Sequence, residues 1–170
     1  ETAGDYPTEG SNLILCMHNV IGLGRNSEQI IRNLHAYLEE GGMAFLMATN
    51  KYHAFNFTRK FRGEIEALRV LKDGTVKFKS DMPEMFCYTP QEFKALITQC
   101  GFDEVTVLGY PVTVYPTYED TKLLRRDTLD DRLRNSTERA KMLETEKRLC
   151  LNPWLAYRGG SSLIAVAKKK

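Results

Sequence analysis

A strand–helix–strand pattern near the amino terminus constrains the fold more than any other feature of this sequence. Residues 12–17 (NLILCM) form a continuous apolar run, which is typical of a strand buried on both faces. A helix is predicted next, with Asn26 or Ser27 as its N-cap and a left-handed end at Gly41-Gly42. Residues 43–48 (MAFLMA) then predict a second buried strand. Such a unit joins parallel strands through a right-handed crossover, so we expect an α/β protein.

Three further segments extend this pattern. Thr89-Pro90-Gln91-Glu92 is a capping box with proline at the first helical position, and it predicts a helix that ends at Gly101. Residues 104–108 and 161–167 are predicted to be strands. Residues 121–150 carry many charges with scattered apolar positions, which indicates one or two helices.

The segment 51–88 differs from the rest of the chain. Residues 51–63 carry aromatic side chains among basic ones without a clean period, and Asp73-Gly74 between two apolar stretches predicts a β-hairpin turn. We interpret this segment as an insertion that folds over the main sheet as a lid and binds substrate. The alternative is that it packs at the far end or the back of the sheet and only extends it.

Composition limits the possible functions. The chain has 170 residues, of which 42% are hydrophobic and 27% charged, and this suits a single domain over 1–170. A net charge of +2 makes a nucleic-acid partner unlikely, and no apolar run reaches the ~18–20 residues of a membrane span. The four cysteines lack metal-binding or redox spacing, which predicts buried, reduced thiols and a cytoplasmic protein.

Three stretches resemble, in the same order, motifs of the class I S-adenosylmethionine-dependent methyltransferases. Residues 12–50 are similar to that family's apolar strand, its helix ending in Leu-x-x-Gly-Gly and its next strand. Residues 88–102 (YTPQEFKALITQCGF) are similar to its helix ending in Gly-Phe, and residues 159–168 to its last strand. The resemblance implies a Rossmann-like sheet of order 3-2-1-4-5-7-6 with strand 7 antiparallel. The predicted strands would be numbers 4 to 7, an incomplete sheet of order 4-5-7-6 with an inserted β-hairpin lid.

The same resemblance implies methyl transfer from S-adenosylmethionine to an acceptor, which we expect to be a small molecule. Cofactor contacts are expected at the end of strand 3 and beyond strand 4, from Asp5, Tyr6, Cys16, Met17 and His18. Substrate contacts are expected near the carboxyl ends of strands 4 and 5, where ligands of open α/β sheets bind, from Asn19, Asn50, Tyr52 and Phe55. No catalytic residue or metal ligand is assigned, because this in-line transfer mainly requires alignment of the reactants and exclusion of water.

The sequence lacks the family's glycine-rich turn after strand 1 and the acid after strand 2. Gly22-Leu23-Gly24 has no third glycine and follows the wrong strand to replace that turn. We therefore expect a carboxyl-terminal part of a catalytic domain, completed by an amino-terminal half, a second chain or another copy. Alone it should bind S-adenosylmethionine weakly or not at all. Two alternatives are a non-catalytic α/β interaction module without the cofactor site and half of a nicotinamide dehydrogenase, which the Gly-Phe helix end and last strand fit poorly.

Overall fold

A computed structural model of the chain describes residues 10–24, 26–112, 134–152, 154 and 160–170. The predicted cofactor residues Asp5 and Tyr6 lie outside this range. The described elements, in chain order, are β1 (Ser11–Cys16), α1 (Val20–Leu23), α2 (Ser27–Tyr37), β2 (Leu38–Asn50), α3 (Lys51–Arg62), α4 (Glu64–Asp73), β3 (Thr75–Val76), β4 (Met85–Tyr88), α5 (Pro90–Gln99), β5 (Asp103–Tyr110), α6 (Ser136–Leu151) and β6 (Ser162–Lys168).

The central strand of the sheet is β2. It pairs in parallel with β1, where Cys16 lies opposite Leu46, so the predicted strand–helix–strand unit is confirmed. Further along the same edge it pairs in parallel with β4, which in turn pairs antiparallel with the short β3. The other edge of β2 is occupied by β6, which runs antiparallel to both β2 and β5. The main strands therefore lie in the order β1-β2-β6-β5.

One face of the sheet carries the hydrophobic core. Side chains of β2, α2, α5 and β6 meet there in a single buried cluster that includes Ile31, Leu46, Phe93, Ile97 and Leu163. The capping box predicted for α5 is confirmed: the Glu92 main-chain N–H donates to Thr89 Oγ1 over 3.2 Å, and the Thr89 N–H donates to Glu92 Oε2 over 2.7 Å. Asn26 likewise caps α2 by accepting a 3.0 Å hydrogen bond from the Gln29 N–H.

The opposite face of β1 does not match the sequence-based expectation. The continuous apolar run predicted burial on both faces, but Leu13 and Leu15 are more than half exposed, and their neighbour Met43 on β2 is 41% exposed. Ile14 and Cys16 alternate with them and pack into the core. An apolar run shows that both faces of a strand carry apolar side chains. It does not show that other described residues pack against both faces.

The end of α2 also differs from its prediction. The helix ends at Tyr37, and Leu38 already has extended backbone angles and is almost fully buried. Gly41, with φ of 77°, lies within β2 instead of capping the helix. Its left-handed conformation falls where the pairing with β1 jumps from Ser11–Leu38 to Leu13–Met43. Gly41 therefore provides the positive φ that this irregularity in the strand pairing requires.

The predicted β-hairpin at Asp73-Gly74 is wrong. Asp73 is the last residue of α4, and Gly74 (φ 69°) is the left-handed cap of that helix. The Gly74 N–H donates to the Val70 carbonyl over 3.0 Å. Asp-Gly suits a hairpin turn and a helix end for the same reason, because glycine accepts positive φ at no steric cost. The segment consequently begins with two helices, and its only described strand pair, β3 with β4, is joined by residues 77–84.

The cysteines agree with the prediction of reduced thiols. All four are free, and Cys16, Cys87 and Cys100 are buried. Burial raises the pKa of the Cys87 thiol to about 12, so this group stays protonated at neutral pH. In the described ranges, no helix combines the length and apolarity that crossing a bilayer requires, and no group of three or more potential ligands is arranged to hold a metal ion.

Candidate active-site cavity

A cavity of about 480 Å³ opens where β1 ends and β4 begins along the same edge of β2. This volume lies within the roughly 300–1,000 Å³ of typical small-molecule sites. Three groups of residues line it: His18, Asn19 and Leu23 after β1; His53 and Phe57 on α3; and Phe78, Lys79, Met82, Pro83 and Met85 before and at the start of β4. The wall is mainly apolar, with two imidazoles at its border.

The turn after β1 holds two consecutive residues in the left-handed region. His18 has φ of 58° and Asn19 has φ of 60°. The main-chain carbonyl of Asn19 accepts hydrogen bonds from the N–H groups of Gly22 (2.8 Å) and Leu23 (3.0 Å), and these bonds start α1. The buried side-chain Oδ1 of Asn19 has no partner in the described structure. Non-glycine residues held in this region cost about 1–3 kcal/mol each and cluster at functional sites. This strain marks the turn as a candidate site.

The start of α3 is fixed by Asn50. Its Oδ1 accepts a 3.1 Å hydrogen bond from the Tyr52 N–H, and its Nδ2 donates to the Gly160 carbonyl over 2.8 Å. Lys51, the next residue, forms an ion pair of 2.7 Å with Glu92 on α5. These two connections hold the first turn of α3 against the sheet and thereby position His53 at the cavity.

His53 belongs to an aromatic group on the cavity wall. Its ring centroid lies 6.3 Å from that of Phe78, and Phe78 in turn meets Phe57 edge to face at 5.0 Å. Burial lowers the pKa of the His53 imidazole below 6.5, so the ring is neutral at neutral pH. A neutral imidazole carries a nitrogen lone pair that can accept a proton or a hydrogen bond.

The structure brings together only part of the predicted site. His18 and Asn19 line the cavity, whereas Asn50, Tyr52 and Phe55 do not. Asn50 is fully buried with both ends of its amide bonded to main chain, Tyr52 is exposed, and the Phe55 ring lies beneath the Arg59 guanidinium at 5.6 Å.

The predicted cofactor residues at the end of β1 differ in how exposed their side chains are. The side chain of Cys16 packs in the core, while Met17 and His18 are exposed at the end of the strand. No ligand contact of these residues is tested by this placement, so their assignment to the cofactor stays a prediction.

Sequence reasoning assigned residues 51–88 to substrate binding but missed that α3 is a helix and that His53 lines the cavity. His53 and Phe57 are four residues apart, which places them on the same face of a helix. That spacing is visible in the sequence, but residues 51–63 were interpreted as aperiodic. Phe78 and Met85 could not be found in this way, because the β3–β4 pairing brings them to the cavity.

A glycine lets α1 approach β4 and close one side of the cavity. A Cβ atom at Gly22 would lie 2.7 Å from the main-chain oxygen of Phe86. We therefore expect Gly22→Ala to lower the free energy of unfolding by about 1–3 kcal/mol, because backbone must move to relieve the overlap. Urea unfolding measures this loss. Gly24→Ala is the matched control, since its Cβ meets chiefly the flexible end of the Ile30 side chain; equal losses in the two variants would contradict the prediction.

No protein-family model matches the chain, and no curated protein matches its sequence. Solved structures with a similar fold include the plantazolicin methyltransferase BamL in complex with S-adenosylhomocysteine (16% identity, TM-score 0.48, covering 96% of this chain and 55% of that one). Phosphoethanolamine N-methyltransferase 2 of Haemonchus contortus in complex with S-adenosylmethionine is 9% identical (TM-score 0.49, covering 93% and 33%).

A third similar structure is a Thermotoga maritima S-adenosylmethionine-dependent methyltransferase described as a possible histamine N-methyltransferase (12% identity, TM-score 0.48, covering 98% of this chain and 60% of that one). The chain thus spans between a third and three fifths of the length of these proteins. At such low identities and TM-scores, this likeness assigns neither an activity nor a substrate to the chain.

Proposed function

We propose that this chain is part of a class I S-adenosylmethionine-dependent methyltransferase domain. The observation that carries the proposal is the strand order β1-β2-β6-β5, in which β6 is antiparallel between two strands that share one direction. This is the order and direction that the sequence resemblance implies for strands 4-5-7-6 of that family. Assigning β1, β2, β5 and β6 to strands 4, 5, 6 and 7 is part of the proposal.

The position of the cavity supports an acceptor site. His18 and Asn19 follow the carboxyl end of β1, and His53 lies in the first turn of the helix that follows β2. Ligands of open α/β sheets bind beyond the carboxyl ends of parallel strands. We infer that this cavity holds a small-molecule acceptor, and that α3 and residues 77–85 cover it in the role that the sequence assigned to a hairpin lid.

The described residues fit part of a cofactor site. S-adenosylmethionine, when bound, supplies an electrophilic methyl group. Met17 and His18 have exposed side chains at the end of β1 and are the described residues we propose to contact it. The Cys16 thiol packs in the core and burial raises its pKa, and the assignment of Cys16 to the cofactor stays a prediction. The cavity residues would bind and orient the acceptor and exclude water.

We propose a cytoplasmic location, because the four cysteines are free thiols. The remainder of the cofactor site would be supplied by another segment or another chain. The edge of β1 away from β2 is one place where such a segment could pair, since no described strand pairs there.

A nuclear magnetic resonance titration with S-adenosylhomocysteine tests the proposed function. At millimolar ligand we expect the Met17 methyl and His18 ring resonances to shift, because this method detects binding even when several cofactor contacts are missing. Met43, exposed on the sheet face near Leu13, is the internal control and should not shift. If neither Met17 nor His18 responds in the folded protein, the assignment of these two residues to the cofactor is wrong.

An interaction module is the second candidate function. The observation that favours it is the exposed apolar surface formed by Leu13, Leu15 and Met43 on one face of the sheet. Exposed apolar patches of this kind mark surfaces where proteins associate. In that case the exposed sheet face binds a partner protein, and titration with S-adenosylhomocysteine leaves the Met17 and His18 resonances unchanged.

A further inference from the structure

We propose that the cavity binds an uncharged aromatic compound that carries a hydroxyl group, and that His53 is the catalytic residue that accepts the hydroxyl proton. This inference names the acceptor class of the proposed methyltransferase and rests on that function for the transfer itself. The binding of the compound and the hydrogen bond from its hydroxyl to His53 are properties of this chain alone and can be tested without a methyl donor.

The shape and chemistry of the wall favour a flat, apolar ligand. Phe57 and Phe78 present aromatic surface, and Met82 and Met85 add flexible thioether side chains that adapt to a ring. The volume of about 480 Å³ accommodates a substituted aromatic ring. Most of the free energy of binding would therefore come from burial of apolar surface.

The charges around the cavity argue against a cationic acceptor. No aspartate or glutamate is among its described lining residues, and its titratable side chains are His18, His53 and Lys79. An ammonium group would lose its hydration without gaining a carboxylate partner, which is costly in a partly buried site. A carboxylate ligand would have to compete for Lys79, which already has an interaction within the chain. An uncharged compound avoids both costs.

The position of His53 favours a ligand that can donate a hydrogen bond to its imidazole ring. The side chain is half-buried at the cavity wall, and within the described structure it makes no hydrogen bond. Its neutral ring therefore offers a lone pair toward a hydroxyl. During methyl transfer the hydroxyl proton moves to this ring nitrogen while the oxygen keeps the electron pair of the broken O–H bond, and the imidazolium afterwards releases the proton to water. The oxygen thereby becomes a better nucleophile.

Three matched probes test the acceptor class on the purified chain: para-ethylphenol, its O-methyl ether para-ethylanisole, and tyramine. We expect para-ethylphenol to shift the His53 ring and the Met85 methyl resonances and to bind about tenfold more tightly than the ether, which lacks the hydrogen to donate. Tyramine should bind more weakly than para-ethylphenol because it adds an ammonium group. The ring of His35, which packs edge to face on Phe102 away from the cavity lining, should not shift.

A substitution at His53 tests the proton acceptor. In His53→Leu, para-ethylphenol should bind about as weakly as the ether does, while affinity for the ether stays unchanged. His53→Gln provides a second, polar variant, and a second readout is the absorbance of para-nitrophenolate. At a pH where free para-nitrophenol is mostly protonated, the wild-type chain should increase the ionised fraction of the bound probe and His53→Gln should not.

Three results would overturn the inference: tighter binding of tyramine than of para-ethylphenol, equal para-ethylphenol affinity in wild type and His53→Leu, or equal ionisation of para-nitrophenol in wild type and His53→Gln. None of these measurements contains a methyl donor. Failure of the phenol probes with a positive S-adenosylhomocysteine titration rejects the acceptor class alone, and the opposite pair of results rejects the proposed cofactor contacts of Met17 and His18 while the phenol site stands.

Discussion

Replacing Glu92 with alanine is expected to lower the free energy of unfolding by about 2–4 kcal/mol. Glu92 Oε1 lies 2.7 Å from the ammonium of Lys51, whose side chain is only 9% exposed. Removing one partner of a fully buried pair costs about 3–5 kcal/mol, and here the carboxylate is 49% exposed, which reduces that cost. The loss of the capping box with Thr89 adds about 1 kcal/mol.

Urea unfolding of a double-mutant cycle measures this coupling. Lys51→Met combined with Glu92→Ala should be more stable than Glu92→Ala alone, because no buried ammonium is then left without a partner. Glu28→Ala is the matched control, since its ion pair with Arg32 on α2 is exposed on both sides and should contribute about 0.3–0.5 kcal/mol. Equal losses from Glu92→Ala and Glu28→Ala would show that the Lys51 pair does not stabilise the fold.

The same pair predicts a dependence of stability on pH. Burial by itself raises the pKa of Glu92, but hydrogen bonds from Lys51 and Thr89 outweigh it and lower the pKa below 4.5. A carboxylate with a depressed pKa in the folded state stabilises the protein at pH values above its unfolded-state pKa. That contribution is lost as the pH falls through the folded-state pKa. Below about pH 4.5, wild type should therefore lose more stability than Glu92→Ala does.

Local signals in the sequence predicted the elements whose ends are set by their own residues. The capping box at Thr89 and the N-cap at Asn26 satisfy main-chain groups only three residues away. The sequence therefore identified the first and narrowed the second to Asn26 or Ser27. Asp73-Gly74 was misinterpreted because its left-handed glycine suits a hairpin and a helix cap equally, and the choice depends on whether residues 64–73 pack as a helix.

Long-range contacts explain what the sequence did not predict at the site. His18 and Asn19 were predicted because the carboxyl end of a buried strand is a general position for ligands, and both line the cavity. The link between Lys51 and Glu92 joins residues 41 positions apart and has no sequence pattern. Phe78 lies in the connection between β3 and β4, a strand pair that the sequence did not predict.

Asn50→Ala is expected to lower the free energy of unfolding by about 2–4 kcal/mol, although the sequence assigned Asn50 to substrate binding. The fully buried Asn50 amide forms two structural hydrogen bonds: its Oδ1 accepts from the Tyr52 N–H, and its Nδ2 donates to the Gly160 carbonyl. Loss of an N-cap costs about 1 kcal/mol, and a buried carbonyl left without its donor costs about 1–3 kcal/mol. Urea unfolding measures the sum.

Asn26→Ala isolates the capping part of that loss. Asn26 caps α2 through a single hydrogen bond from the Gln29 N–H and is exposed, so its removal should cost about 1 kcal/mol. The difference between Asn50→Ala and Asn26→Ala then reports the bond to Gly160, which joins the start of α3 to the residues that precede β6. If the two variants lose the same stability and Asn50→Ala instead weakens binding of para-ethylphenol without altering the fold, Asn50 acts on the ligand as the sequence predicted, and its role as a structural tie is wrong.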